Sequence, residues 1–295
     1  MGCGDASDKV ECLRQAPYDK IYQHQGTVGF FVGSYHGLSL PWLPRPSPND
    51  KYLPESPDIL TASGKIANVP LMMGDMRDEG TLFSVIAGLN TTTDAEVKDF
   101  FKTLFWPNVT EAQLDRLLEL YPRTAGSPYG GGLLDSVPGP QYKRIAAIQG
   151  DFVFESCRRQ LYANFPGPIW NYQTEITLPL SILDDSIVGE LLGNTGLTTP
   201  PILGSFHAFD ALFYLFETIP AAVSHNVLNI MSTVVSFVNH QDPNHNGLNI
   251  PNWPQYDRTA KKSYQFRESG PKIITDDYRQ EAMDFMNNNA DTLRV

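Results

Sequence analysis

Apolar and polar positions along this chain follow two alternating rhythms. Residues 68–75, NVPLMMGD, form a short unbroken apolar run ending in Gly-Asp, the pattern of a fully buried parallel strand that stops in a turn. That strand would deliver Met76-Arg77-Asp78-Glu79-Gly80 to its C-terminal end. A helical zone follows, in which Thr93-Asp94 and Thr110 stand as N-caps before AEVKDFFKTLF and EAQLDRLLELY, with Glu96 and Gln113 at capping-box offset. Residues 141–164 carry a longer run of helical period with an internal Gly150-Asp151, expected to pack over the sheet. GPIWNYQTEI then reads as a second core strand with an aromatic face. Residues 178–201 read as a weakly structured insertion. From Ala208 to about Phe237 the pattern is again helical with a break near Pro220, and 239–257 is a polar loop. Two short strand-like pieces and a final helix close the chain, with Asp276 or Asp277 placed to cap that helix. The proline-dense segment 38–57 cannot be helix interior and reads as an extended connector.

With 295 residues, 41% apolar and 11% aromatic, the chain can bury a large core as one α/β domain or two smaller ones. A formal charge of −11 repels phosphate backbones and anionic membranes, so nucleic acid is not an expected partner. No apolar run reaches the roughly 18 residues of a membrane-spanning helix. The opening MGCGDASDKVECLRQ lacks the basic and apolar regions of a secretion signal. Cys3 and Cys12 can close a small polar loop or stay as thiols, and Cys157, in an apolar segment, is expected to be buried. Two N-x-T sequons, at Asn90 and Asn108, tilt that choice toward an oxidising secretory route.

Two loops hold the candidate chemistry. Asp78-Glu79-Gly80 lies at the predicted C-terminal end of a buried strand, where open α/β sheets collect their reactive groups; taken alone, such a tripeptide is more often a surface turn. Gly204-Ser205-Phe206-His207-Ala208 holds a histidine between a glycine-containing loop and a helix start, and a lone histidine there is more often structural. Their order, acid first and histidine later, is the order of α/β-hydrolases, whose nucleophilic serine precedes both. The nucleophile elbow needs glycines two before and two after its serine. No serine in the sequence has them, although Ser34, Ser127 and Ser205 each directly follow a glycine. Cys3 and Cys12 lack the elbow too. His240 and His245 flank Asp242 in a polar loop without metal-ligand spacing, and Trp253-Pro254-Tyr256 reads as packing rather than a stacking platform for bases.

Around these residues the sequence resembles the type-B carboxylesterase and lipase family, in particular the fungal lipases of the Candida rugosa type, with cholinesterases as distant relatives. CGDASDKVECLR resembles that family's short-disulfide loop, VPLMMGDMRDEGTLFS its acid turn, GSFHAFDALF its histidine loop and GLNIPNWPQYD its late Trp-Pro segment, together spanning nearly the whole chain. The resemblance implies an α/β class: the C-terminal portion of an α/β-hydrolase fold, with a mixed, mostly parallel sheet flanked by helices. Residues 1–295 would form one such domain, with the disulfide loop and proline-rich connector in 1–57 and the acid turn, helical region, histidine loop and C-terminal helix in 58–295. It further implies that Glu79, rather than Asp78, is the triad acid, that His207 is the general base, that Cys3 and Cys12 pair, and that Asn90 carries a glycan.

Family members place the glycine-rich oxyanion loop and the Gly-Glu-Ser-Ala-Gly elbow ahead of the cysteine loop, where this chain begins. The serine, the oxyanion amides and the early strands are therefore expected to be missing, leaving a sheet edge uncovered and the isolated chain inactive and prone to aggregate. The lineage implied is a secreted carboxylic ester hydrolase acting on hydrophobic esters, with neither a cofactor nor a metal. Two other readings stand beside it: a non-catalytic, cholinesterase-like interaction module, and a half that regains activity with a separately encoded partner. Retention of both Glu79 and His207 favours the hydrolase lineage.

Overall fold

Four strands lie in one sheet in chain order: β1 (Leu71–Met76), β2 (Ile169–Thr174), β3 (Lys262–Phe266) and β4 (Lys272–Thr275). The structure is a computed structural model that describes residues 2–25, 35–39, 45–47, 49–123, 139–177, 203–211 and 225–293. β1 pairs with β2, and β2 with β3, in parallel, whereas β3 and β4 form an antiparallel pair. The sheet is thus mixed and mostly parallel, as the resemblance implied. The predicted insertion at 178–201 and the predicted break near Pro220 lie outside the described residues.

Parallel neighbours require crossover connections, and helices supply them. Helices α1 (Lys9–Arg14), α2 (Tyr18–Gln25) and α3 (Pro57–Ala62) precede the sheet. Pro57 opens α3 at its first turn, where its missing N–H costs nothing. Between β1 and β2 run α4 (Thr81–Asn90), α5 (Asp94–Leu104), α6 (Glu111–Leu120), α7 (Tyr142–Gly150) and α8 (Ser156–Asn164). Helix α9 (His225–His240) lies between β2 and β3, and α10 (Gln280–Asn288) ends the fold. Both predicted capping boxes form: Thr93 with Glu96 at α5 and Thr110 with Gln113 at α6. The single helical run expected over 141–164 is divided: a π-helical segment, Asp151–Glu155, follows Gly150 and joins α7 to α8.

Alternation along β2 sorts the core into two faces. Trp170, Tyr172 and Thr174 face α9, where Trp170 meets Phe237 at 5.7 Å and Trp253 stacks on Tyr264 of β3 at 4.9 Å. The late Trp-Pro segment therefore packs, as its composition suggested. Ile169 and Asn171 face α8, whose Tyr162 hydroxyl bonds to the Met73 carbonyl and to Asn171. A second apolar core lies among α4–α7, the π segment and α10, where Trp106 stacks on Phe101 at 4.9 Å and meets Phe152 edge-on at 4.8 Å.

Three expectations are corrected. β1 is half-buried from Leu71 to Gly74 and fully buried only at Asp75 and Met76, because it is an edge strand among the described ones. Cys157 is exposed: the packed side of α8 is set by Ser156, Arg158 and Tyr162, and the helical period turns position 157 away from it. Neither Asp276 nor Asp277 caps α10 with its side chain. Asp276 instead points beneath the sheet, where it accepts hydrogen bonds from Arg158 and Arg159 in a buried cluster that also includes Asp75 and Glu155.

Candidate active site

The register sets Met76, the last residue of β1, beside Thr174, the last of β2, so the loops leaving both strands emerge together. This is the end of a parallel sheet at which α/β proteins gather reactive side chains. The chain leaving β1 makes the turn 77–80 and enters α4 with Gly80 as N-cap. Only glycine fits there: a Cβ on Gly80 would lie 1.9 Å from the Ala146 carbonyl oxygen of α7. Gly150, at the end of α7, faces it, so two glycines let the acid turn rest directly on α7.

The histidine loop is held against this turn. Asp78 and Phe206 form an isolated parallel bridge, and the Ser205 hydroxyl donates to the Thr174 carbonyl at 2.8 Å. Gly204 and Ala208, on either side of His207, both adopt left-handed backbone conformations at φ 61°. Ala208 pays a steric penalty that glycine would not.

These contacts bring Glu79 and His207 together: Glu79 Oε2 lies 2.6 Å from His207 Nδ1, while Glu79 Oε1 accepts the Met76 N–H at 2.6 Å. The Glu79 side chain is buried and that of His207 is 30% exposed. Burial pushes the Glu79 carboxyl above its ordinary value, with nearby Asp75 adding to the rise and the hydrogen bonds from His207 and Met76 opposing it. When Glu79 is ionised its oxygens only accept hydrogen bonds, and this contact then puts the imidazole proton on Nδ1 and leaves the lone pair on Nε2. An imidazole held this way can take a proton at Nε2. Phe154 packs at 4.6 Å and Phe83 at 5.2 Å from the imidazole, centroid to centroid.

Phe154 was not singled out from the sequence. It reaches the histidine from the π segment, which the helical period of 141–164 does not mark. His240 and His245 lie near each other in the polar loop, but among the described residues no cluster of three or more His, Cys, Asp or Glu could hold a metal ion. Cys3 and Cys12 form a disulfide that encloses most of α1. No helix among the described residues is long and apolar enough to cross a membrane.

The profile of the family described as the carboxylesterase family matches residues 1–286. A secreted triacylglycerol lipase of Gibberella zeae is 35% identical over all of this chain and 46% of its own length. Lipase 4 of Diutina rugosa is 35% identical over 88% of this chain and 42% of its own length, and Lipase 2 of Geotrichum candidum is 33% identical over 96% and 46%. The chain thus spans about half the length of the relatives it matches. The crystal structure of Aspergillus niger EstA superposes with a TM-score of 0.63 over all of this chain and 54% of that one, at 22% identity, which establishes a shared fold. The chain belongs to the carboxylesterase family and has its α/β-hydrolase type of fold.

Proposed function

We propose that this chain supplies the acid and the general base of a Ser-Glu-His triad in a secreted carboxylic ester hydrolase acting on hydrophobic esters. The observation that supports this most is the 2.6 Å contact between buried Glu79 and His207 Nδ1, made by two loops at the C-terminal end of a parallel sheet. The relatives' names, among them secreted lipases and a triacylglycerol lipase, support the ester class and an extracellular setting.

In this reading His207 Nε2 takes the proton from a serine hydroxyl as it attacks the ester carbonyl, then returns it to the departing alkoxide. Glu79 fixes the tautomer and stabilises the imidazolium that forms. Phe83 and Phe154 keep the ring's surroundings apolar, which strengthens that electrostatic pairing. No serine of the 295 residues has the flanking glycines of an elbow, so the nucleophile and its oxyanion amides would come from sequence outside these residues. Asn90 and Asn108, both exposed, are the proposed glycan acceptors.

The test is hydrolysis of p-nitrophenyl butyrate and of emulsified triacylglycerol. The 295-residue chain alone is expected to give no turnover. A polypeptide joining it to a serine-bearing segment should turn over ester, and His207→Ala should then lower kcat by about 10⁴ to 10⁶. Turnover by the chain alone that disappears in His207→Ala would overturn the assignment of the nucleophile elsewhere. Turnover by the joined polypeptide that is indifferent to His207 would overturn the assignment of the base.

A further inference from the structure

We infer that Asp78, the carboxylate next to the proposed triad acid, is a positioning residue for His207. The inference rests on the reading of the Glu79–His207 pair given above, but its content is geometric. Asp78 is buried, at 6% exposure, and grips the histidine loop twice through one residue. Its N–H donates to the Ser205 carbonyl at 3.0 Å, and its Oδ2 accepts the Ser205 N–H at 3.0 Å. The Thr81 hydroxyl sits between the carbonyls of Asp78 and Leu203, at 2.8 Å and 2.6 Å, and so ties the same two segments a second time.

The need for a side-chain acceptor follows from the path of the backbone. Past Asp78 the chain turns at Glu79-Gly80 into α4, so the strand pairing that begins with the Asp78–Phe206 bridge has no further rung. Ser205 is 1% exposed, and its N–H would be buried without an acceptor if the Asp78 carboxylate did not take the place of that rung. The loop cannot hold its own course either, because left-handed residues at Gly204 and Ala208 bracket it and local preference does not fix where His207 points. His207 is two residues from the clamped amide, so slack at Ser205 passes directly to the imidazole. The two adjacent carboxylates therefore divide the work: Glu79 holds the ring, and Asp78 holds the loop that carries it.

The experiment uses the full 295-residue chain, isotope-labelled, and follows two NMR signals: the downfield Nδ1–H of His207, assigned by its loss in His207→Gln, and exchange of the Ser205 amide with solvent. In the unaltered chain the Ser205 amide should exchange as slowly as amides inside β2. Asp78→Asn keeps an oxygen acceptor and should retain both signals. Asp78→Ala should speed Ser205 exchange by roughly ten-fold or more and broaden away the Nδ1–H signal while β2 amides stay protected. An unchanged Nδ1–H signal in folded Asp78→Ala would overturn the inference. So would a Ser205 amide that exchanges in the unaltered chain as fast as exposed loops do, or loss of the Nδ1–H signal in folded Asp78→Asn. The last two readings decide the matter even if Asp78→Ala does not fold. Failure of the esterase reading would show in ester turnover and leave these signals untouched, so the two failures are distinguishable.

Discussion

Glu79 reaches His207 across 128 positions of sequence and holds its Nδ1 at 2.6 Å from a buried carboxylate. Burial pushes the Glu79 carboxyl up, and the ring N–H works against that rise. Replacing Glu79 with Gln removes the charge and leaves the tautomer uncontrolled. In a polypeptide that also bears the serine, kcat should fall on the order of 10⁴ with KM little changed. Protonation of either partner removes the carboxylate and neutral imidazole that together accept the serine proton, so activity should be lost on the acid side as the Glu79–His207 pair takes up a proton. A pH–rate profile checks both points.

The contact of the acid turn with α7 predicts an asymmetry between two glycines. A Cβ on Gly80 would meet the Ala146 carbonyl oxygen at 1.9 Å, whereas one on Gly150 would have Gly80 N at 3.0 Å as its nearest neighbour. Gly80→Ala should destabilise by about 3 kcal/mol or more, since a backbone must move. Gly150→Ala should stay within about 1 kcal/mol, the closer packing being offset by the better helix former. Urea unfolding of the two variants measures the difference.

Arg158 lies buried among Asp75, Glu155 and Asp276. Arg158→Met would strand these carboxylates and should cost about 3–5 kcal/mol, read from the urea midpoint.

The same cluster sets an acid response. Burial alone would raise the Asp276 carboxyl, but the guanidinium groups of Arg158 and Arg159 outweigh it and hold it at about 2, against 3.8 for an unperturbed aspartate. A lowered folded value means that the stabilisation is complete above the unfolded value and disappears as pH falls through the folded one. About 2 kcal/mol of stability should therefore be lost between about pH 4 and pH 2. Asp276→Asn should flatten that part of a stability–pH curve, measured by chemical denaturation at each pH.

Thr93 and Thr110 each accept an N–H of the following helix while Glu96 and Gln113 reach back to them. Thr93→Ala and Thr110→Ala should each cost about 1 kcal/mol, detectable as a fall in melting temperature.

Those caps were legible because a capping box is made within four successive residues. β1 and β2 were legible as apolar runs bounded by turn residues, whereas the π segment inside the 141–164 run was not, since its helical period continues through Gly150-Asp151. The exposed side of α8 and the fate of Asp276 were not, since each depends on what another segment presents. Cys157 is turned outward because Arg158 and Tyr162 find polar partners beneath the sheet. Asp276 leaves the cap position because Arg158 and Arg159 offer a stronger interaction than a helix N-terminus does.

By itself, then, the sequence determined the strands, the caps, the glycines at the turns and, through its family motifs, which acid and which histidine to watch. It could not decide that they meet. Glu79 and His207 belong to different loops, and their approach depends on the β1–β2 register, on two glycines in van der Waals contact and on the clamp from Asp78 to Ser205. Hydrogen bonds and packing between segments distant in sequence leave no local periodicity, so only the tertiary structure could place the carboxylate on the imidazole.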